Sequence, residues 1–248
     1  MHVQLQNRFS TQFGLVLAAV ATAGVIAVTA VRAVGSLPSP SIATPVAAVQ
    51  PLPLTQGVLP ASALHGFVIT QRPTTVRSAQ TWAARVEHAT TPASEAARLE
   101  RLGFVAGVRE QLHGRFQLAA QAVSVVERYR TPAGARAELA YQRTTAETRW
   151  AVEHVTPLHG IAIPGAVGWI ARGPHIAAVN VMFSVGRDFY IVGSGAAPGT
   201  RGAPTADQMI GAAQLENLIA NGCVAKPTPT AHQAGQPHGM GGRVMLLH

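Results

Sequence analysis

Two histidines, His154 and His159, flank the short run VTPL with Glu153 beside the first, a spacing that would suit a metal if a further carboxylate joined them. The intervening residues supply none, so both read as loop histidines. His232, His238, Met240 and His248 near the C-terminus form a second set, able to hold a soft or borderline metal loosely and without fixed geometry. The loop GSGAAPGTRG, Gly193 to Gly202, lies between a strand pattern and a helix pattern, where phosphates are commonly cradled. It lacks the Gly-Lys-Ser/Thr ending of a P-loop and the spacing of a dinucleotide fingerprint, and reads as a connection.

Nucleophilic chemistry fares no better. Ser194 stands between glycines but outside a G-x-S-x-G frame, and Asp188 and Asp207 are the only aspartates available to orient a histidine. Glu110 and Glu127 fall on neighbouring strand patterns and invite pairing as general acid and base. Each has an arginine next to it, Arg109 and Arg128, and solvated sheet positions explain all four. Trp82, Trp150 and Trp169 sit near element ends and read as core-sealing rings. Cys223 is the sole cysteine, so no disulfide forms within the chain, and it reads as a free thiol just past a helix. No catalytic, cofactor-binding or metal-binding residue is assigned, and no cofactor is expected.

The elements that position these residues are legible in outline. HGFVITQ, His65 to Gln71, reads as a strand stopped by Pro73. Helical spacing follows over Ser78 to Ala89, with Trp82, Val86 and Ala89 on one side. Thr91-Pro92 starts a further helix that Gly103 ends, with Ala96, Leu99 and Leu102 inward and Glu95, Arg98, Glu100 and Arg101 outward. Phe104–Leu112 and Ala122–Tyr129 alternate as strands. Thr131-Pro132 opens a helix through about Arg149. Shorter strands at Val152–Pro157 and Ala166–Ala171 precede two stronger ones, Ile176–Gly186 and Asp188–Gly195, joined as a tight hairpin. Thr205 with Gln208 forms a capping box for a last helix ending at Asn221-Gly222. Consecutive strands imply an antiparallel sheet with helices packed on it, an α+β domain.

With these elements in place, LGFVAGVREQL, RYRTPAGARAEL, IPGAVGW and VNVMFSVGRDFYIVG form a layout over Leu64 to Gly222. It resembles functionally uncharacterised membrane-anchored or secreted α+β proteins of high-GC Gram-positive bacteria. The resemblance implies export and carries over no functional residue.

Location is the most direct reading. FGLVLAAVATAGVIAVTAV, Phe13 to Val31, holds 19 residues without a charge, about 28 Å as a helix against a hydrocarbon core of about 30 Å. A retained anchor is the leading interpretation. Arg8 and the Ala33-Val34-Gly35 motif keep a cleaved signal open, and a buried globular helix is third. The expected organisation is a cytoplasmic head at 1–12, an anchor or signal segment at 13–34, a proline-rich linker at 35–63, an extracytoplasmic domain at 64–223 and a disordered tail at 224–248. The linker carries six prolines and no charge.

The formal charge of +8 raises nucleic acid as a partner, yet 64–223 holds fifteen arginines against eleven acids, interleaved as in RVEHATTPASEAARLER. No nucleic acid is expected. The partners expected are the lipid bilayer, through the N-terminal helix, and an envelope ligand or protein. The functional expectation is a noncatalytic module that binds or senses at the cell envelope, with a hydrolase of scattered site and an accessory subunit of a membrane complex as alternatives.

Overall fold

The computed structural model describes residues 52–85, 91–115, 120–149, 154–174 and 177–226. A short helix α1 (Leu54–Gly57) and a 3-10 turn (Ala61–Ala63) lead into β1 (Phe67–Val76), then α2 (Ala79–Arg85), α3 (Pro92–Leu102), β2 (Phe104–Gly114) and β3 (Gln121–Tyr129). After α4 (Pro132–Arg149) come β4 (His154–Pro157), β5 (Val167–Arg172), β6 (Ala177–Val185), β7 (Asp188–Ala196) and α5 (Ala206–Ala220). Among the described residues the strands form one antiparallel sheet in the order β1-β2-β3-β7-β6-β5-β4. The expected α+β class with an antiparallel sheet is what is found.

Two meanders, β1-β2-β3 and β4-β5-β6-β7, meet where β3 pairs with β7. The link between them is α4. Its 18 residues rise about 27 Å, enough to cross the four strand spacings of about 4.8 Å that separate β3 from β4. Both faces of the sheet are covered, so the chain forms three layers. On one face Val108, Leu112, Val126, Val181, Phe183 and Val192 pack under α1, α5 and the segment that joins α1 to β1. On the other, Phe104, Val125, Tyr129, Met182, Phe189 and Ile191 pack under α2, α3 and α4. Burial on both faces is why β3 and β7 are almost wholly buried rather than alternating with solvent.

Local chemistry accounts for most boundaries. Gly103 stands in the left-handed region at φ 83° and its N–H closes α3 onto the Leu99 and Glu100 carbonyls, a conformation only glycine adopts without strain. The capping box at α5 is present in full, with Gln208 N–H to Thr205 Oγ1 and Thr205 N–H to Gln208 Oε1. At α3, by contrast, the Thr91 side chain does not cap the backbone and accepts instead from Ser94 Oγ at 2.8 Å.

Three expectations need correction. The first strand does not stop at Pro73 but runs to Val76. Because β1 is a sheet edge, a proline without an N–H is tolerated there, and the register shifts between Gln71 and Thr74 absorb it. The proline-rich stretch 35–63 is not a free linker to its end: Leu54, Val58 and Leu59 are buried in the core of the first face, with Val58 and Leu59 fully so. Prolines and an absence of charge are as compatible with a packed strap as with a solvated spacer. Lys226, expected in the tail, likewise reaches back, its Nζ donating to the Thr55 carbonyl at 3.2 Å. Phe13–Val31 lies outside the described residues, and among the described residues no helix is long and apolar enough to cross a membrane.

Candidate functional site

The candidate site lies beneath the strap of residues 52–64, on the first face. Strand alternation places Ala106, Val108, Glu110 and Leu112 of β2 on this face, and Ala122, Ser124 and Val126 of β3 beside them, Glu110 being in register with Ser124. From above, α5 brings Met209, Ala212, Ala213 and Glu216 down at helical spacing. Glu110 is 1% exposed and Glu216 fully buried. Ser124 relays between strap and helix: its Oγ accepts from the Leu59 N–H at 3.1 Å and donates to Glu216 Oε1 at 2.8 Å.

The other carboxylate oxygens, Glu110 Oε1 and Glu216 Oε2, are buried without a hydrogen-bond partner. Lys226 Nζ lies 4.0 Å from Glu110 Oε2. Burial pushes the Glu110 carboxyl up to about 7, against the pull of Lys226, and pushes Glu216 well above the usual carboxylate range, opposed by the Ser124 hydrogen bond and Lys226. The Lys226 ammonium is in turn pushed down by burial. At the end of the same face Arg128 grips Asp188 with two bonds of 2.7 Å and donates from Nη2 to the Leu52 carbonyl at 2.7 Å, so the strap is held at its start as well as at Leu59.

The opposite face carries a second buried network with a different character. Trp82 Nε1 donates to Glu127 Oε1 at 2.8 Å and Tyr129 OH to Glu127 Oε2 at 2.6 Å. Close by, Arg98 of α3 pairs with Glu95 and with the fully buried Glu138 of α4, lies 3.8 Å over the Tyr141 ring, and shares Glu138 with Gln142. Burial, reinforced by Glu138, pushes Glu127 up to about 7 despite its two donors. Every oxygen of Glu127 and Glu138 is engaged here, so this network locks two helices to the sheet rather than offering valences to a ligand.

The expectation that Glu110 and Glu127 sit at solvated sheet positions fails. Both are buried, and their opposite parity puts them on opposite faces, so they do not meet. Arg128 serves Asp188 rather than Glu127, and Arg109, consecutive with Glu110, points to the other side. Arg98, read as an outward residue, lies between α3 and α4. Ser194 is buried within β7 whereas His159 is exposed, so these two do not converge. The segment 193–202 begins inside β7 rather than as a loop. Cys223 is exposed just past α5. Trp82 and Trp169 are core rings as expected. Glu153, Trp150 and the C-terminal set His232, His238, Met240 and His248 lie outside the described residues, as does the side chain of His154. Sequence reasoning missed Ser124, Glu138, Glu216 and Lys226. For Glu216 a signal existed, since it falls on the Met209-Ala212-Ala213-Ile219 stripe of α5.

No protein-family model and no curated protein matches the chain. Among solved structures, the chain is similar in shape to the extracellular domain of PknH from Mycobacterium tuberculosis, over 69% of this chain and 98% of that one, with 14% identity and a TM-score of 0.43. A likeness at this level assigns neither a fold family nor a function.

Proposed function

We propose that the chain is a noncatalytic extracytoplasmic module, held at the cell envelope by Phe13–Val31 and binding or sensing there. One observation carries the reading: an uncharged apolar run long enough for a bilayer is followed by a charge-free proline-rich stretch and then by a folded domain. The strap supports the same order of parts, because the stretch that leaves the apolar run ends docked on the domain rather than loose beside it. Glu110, Glu127, Glu138 and Glu216 are buried against the sheet instead of lining an open cleft, which favours binding over hydrolysis. The bilayer is then the first partner, and a ligand or protein of the envelope the second.

Fractionation combined with protease shaving of intact cells tests the reading. The full-length product should enter the membrane fraction and lose its domain to external protease. Recovery of the untrimmed chain in detergent-free soluble extract overturns it.

A further inference from the structure

At one end of the sheet β1, β3 and β6 finish while β2 and β7 begin, and five arginines share that end. Arg77 follows the last residue of β1, and Arg101 lies in the last turn of α3, just before Gly103. The Arg130 N–H bonds the Gly103 carbonyl and the Tyr129 N–H bonds the Arg187 carbonyl in the β6–β7 turn, so Arg130 and Arg187 stand beside that helix end. Arg136 lies near the start of α4, which opens directly after Arg130 and Thr131. Arg77, Arg101, Arg130 and Arg136 are exposed and Arg187 is half-buried. Among the described residues the acids at this end outside the core are Glu100, which is exposed, and Asp188, whose charge Arg128 answers. Five arginines against one glutamate leave a surplus of positive charge on this side of the domain.

The strap begins at the same end. Arg128, at the last rung between β3 and β7, holds the Leu52 carbonyl, and only 20 residues of sequence separate Leu52 from the end of the apolar run at Val31. Fully extended they reach about 70 Å, and a tether of this length gives whatever it joins an effective concentration on the order of millimolar. Contacts too weak to hold a free domain are then sufficient.

We propose that this end of the sheet docks on an anionic lipid surface through Arg77, Arg101, Arg130, Arg136 and Arg187. The inference rests on the anchored reading for the nearness of the bilayer, and on the placement of charge for the contact itself. A bilayer asks only that the charges share one side, not that they converge on a point. Arginine suits the partner, because its planar fork matches a phosphate and its stem can lie along the apolar border of the headgroups. Each such residue strengthens attachment about fivefold at low salt, an attraction that fades beyond a Debye length of about 8 Å at physiological salt. The opposite end of the sheet carries Arg115, Arg172 and Arg201 together with Asp207, but the strap does not start there, and those arginines serve as the control.

The test reconstitutes the full chain into neutral phosphatidylcholine vesicles and into vesicles containing phosphatidylglycerol, at about 20 and about 500 mM NaCl. A donor dye sits on Cys223, the sole cysteine and an exposed one, and an acceptor dye on a lipid headgroup. Expected is more energy transfer in anionic than in neutral vesicles at low salt, with the difference lost at high salt. Arg101→Gln/Arg130→Gln/Arg136→Gln/Arg187→Gln should lower the docked-to-free ratio by about a hundredfold or more and abolish the difference with Tm unchanged, whereas Arg115→Gln/Arg172→Gln/Arg201→Gln should keep it. Equal transfer in the two vesicles, transfer indifferent to salt, or a quadruple variant that behaves as wild type overturns the proposal. Flotation separates this from the anchor: a chain that fails to float with neutral vesicles overturns the anchored reading alone. Flotation with anionic vesicles, kept by the opposite-end variant and lost by the quadruple one, then still supports docking, and flotation with neither overturns it.

Discussion

The indole N–H of Trp82 donates to Glu127 Oε1 at 2.8 Å across 45 residues of sequence, and the same ring lies against Gly107 so closely that a Cβ there would stand 2.5 Å from it. One tryptophan thus fixes a buried carboxylate on β3 and a backbone approach on β2. Glu127→Ala strands the Trp82 and Tyr129 donors and should cost about 2 to 5 kcal/mol in chemical denaturation. Gly107→Ala should cost about 1 to 3 kcal/mol by overpacking a rigid ring. A neutral result for Gly107→Ala means the ring does not rest there.

Stability should fall as pH rises from about 4.3 to about 7. Glu110 and Glu127 are held up to about 7 by burial, and burial also pushes Glu216 well above the usual carboxylate range. Above about 4.3 the unfolded chain releases protons that the folded state keeps, so the penalty grows until the folded groups also ionise. Thermal melts at pH 5 and pH 8 should place the higher Tm at pH 5, and Glu110→Gln should flatten the difference. A Tm that climbs toward pH 8 contradicts the buried protonated carboxyls.

The strap should behave as core. Leu59→Ala removes a fully buried side chain and should cost about 2 to 5 kcal/mol. Ser124→Ala, which leaves the Leu59 N–H and Glu216 without a partner, should cost about 1 to 3 kcal/mol. Val105→Ala, at a position 40% exposed, serves as the near-neutral control. Equal effects at Leu59 and Val105 would show that the strap is not docked.

Between α3 and α4, Arg98→Ala leaves the buried Glu138 carboxylate without its cation, and the expected loss is about 3 to 5 kcal/mol. Arg98→Met combined with Glu138→Leu should recover most of it, because an apolar pair removes the desolvation cost on both sides. A strictly additive double-mutant cycle would argue against direct coupling.

Much of the fold could be read from sequence because its elements announce themselves locally. The Thr205–Gln208 box, the Gly103 stop and the Gly186-Arg187 hairpin each depend on residues within a few positions of one another, and the observed order of strands and helices follows them. The candidate site did not announce itself so. A glutamate in a strand is assigned to solvent unless its partners are known, and those partners lie far away: Ser124 is 92 residues from Glu216, and Arg98 is 40 from Glu138. Edge position likewise made Pro73 harmless, and no local pattern reveals which strand is an edge.

Leu52 and Lys226, at the two ends of the described chain, are both anchored on the same face of the sheet, one through Arg128 and the other through Thr55. Tension applied between these ends loads the strap in a peeling geometry before it loads any interstrand ladder. Pulled from both ends, the molecule should first yield at low force by shedding its cover, exposing Glu110 while the sheet beneath stays whole.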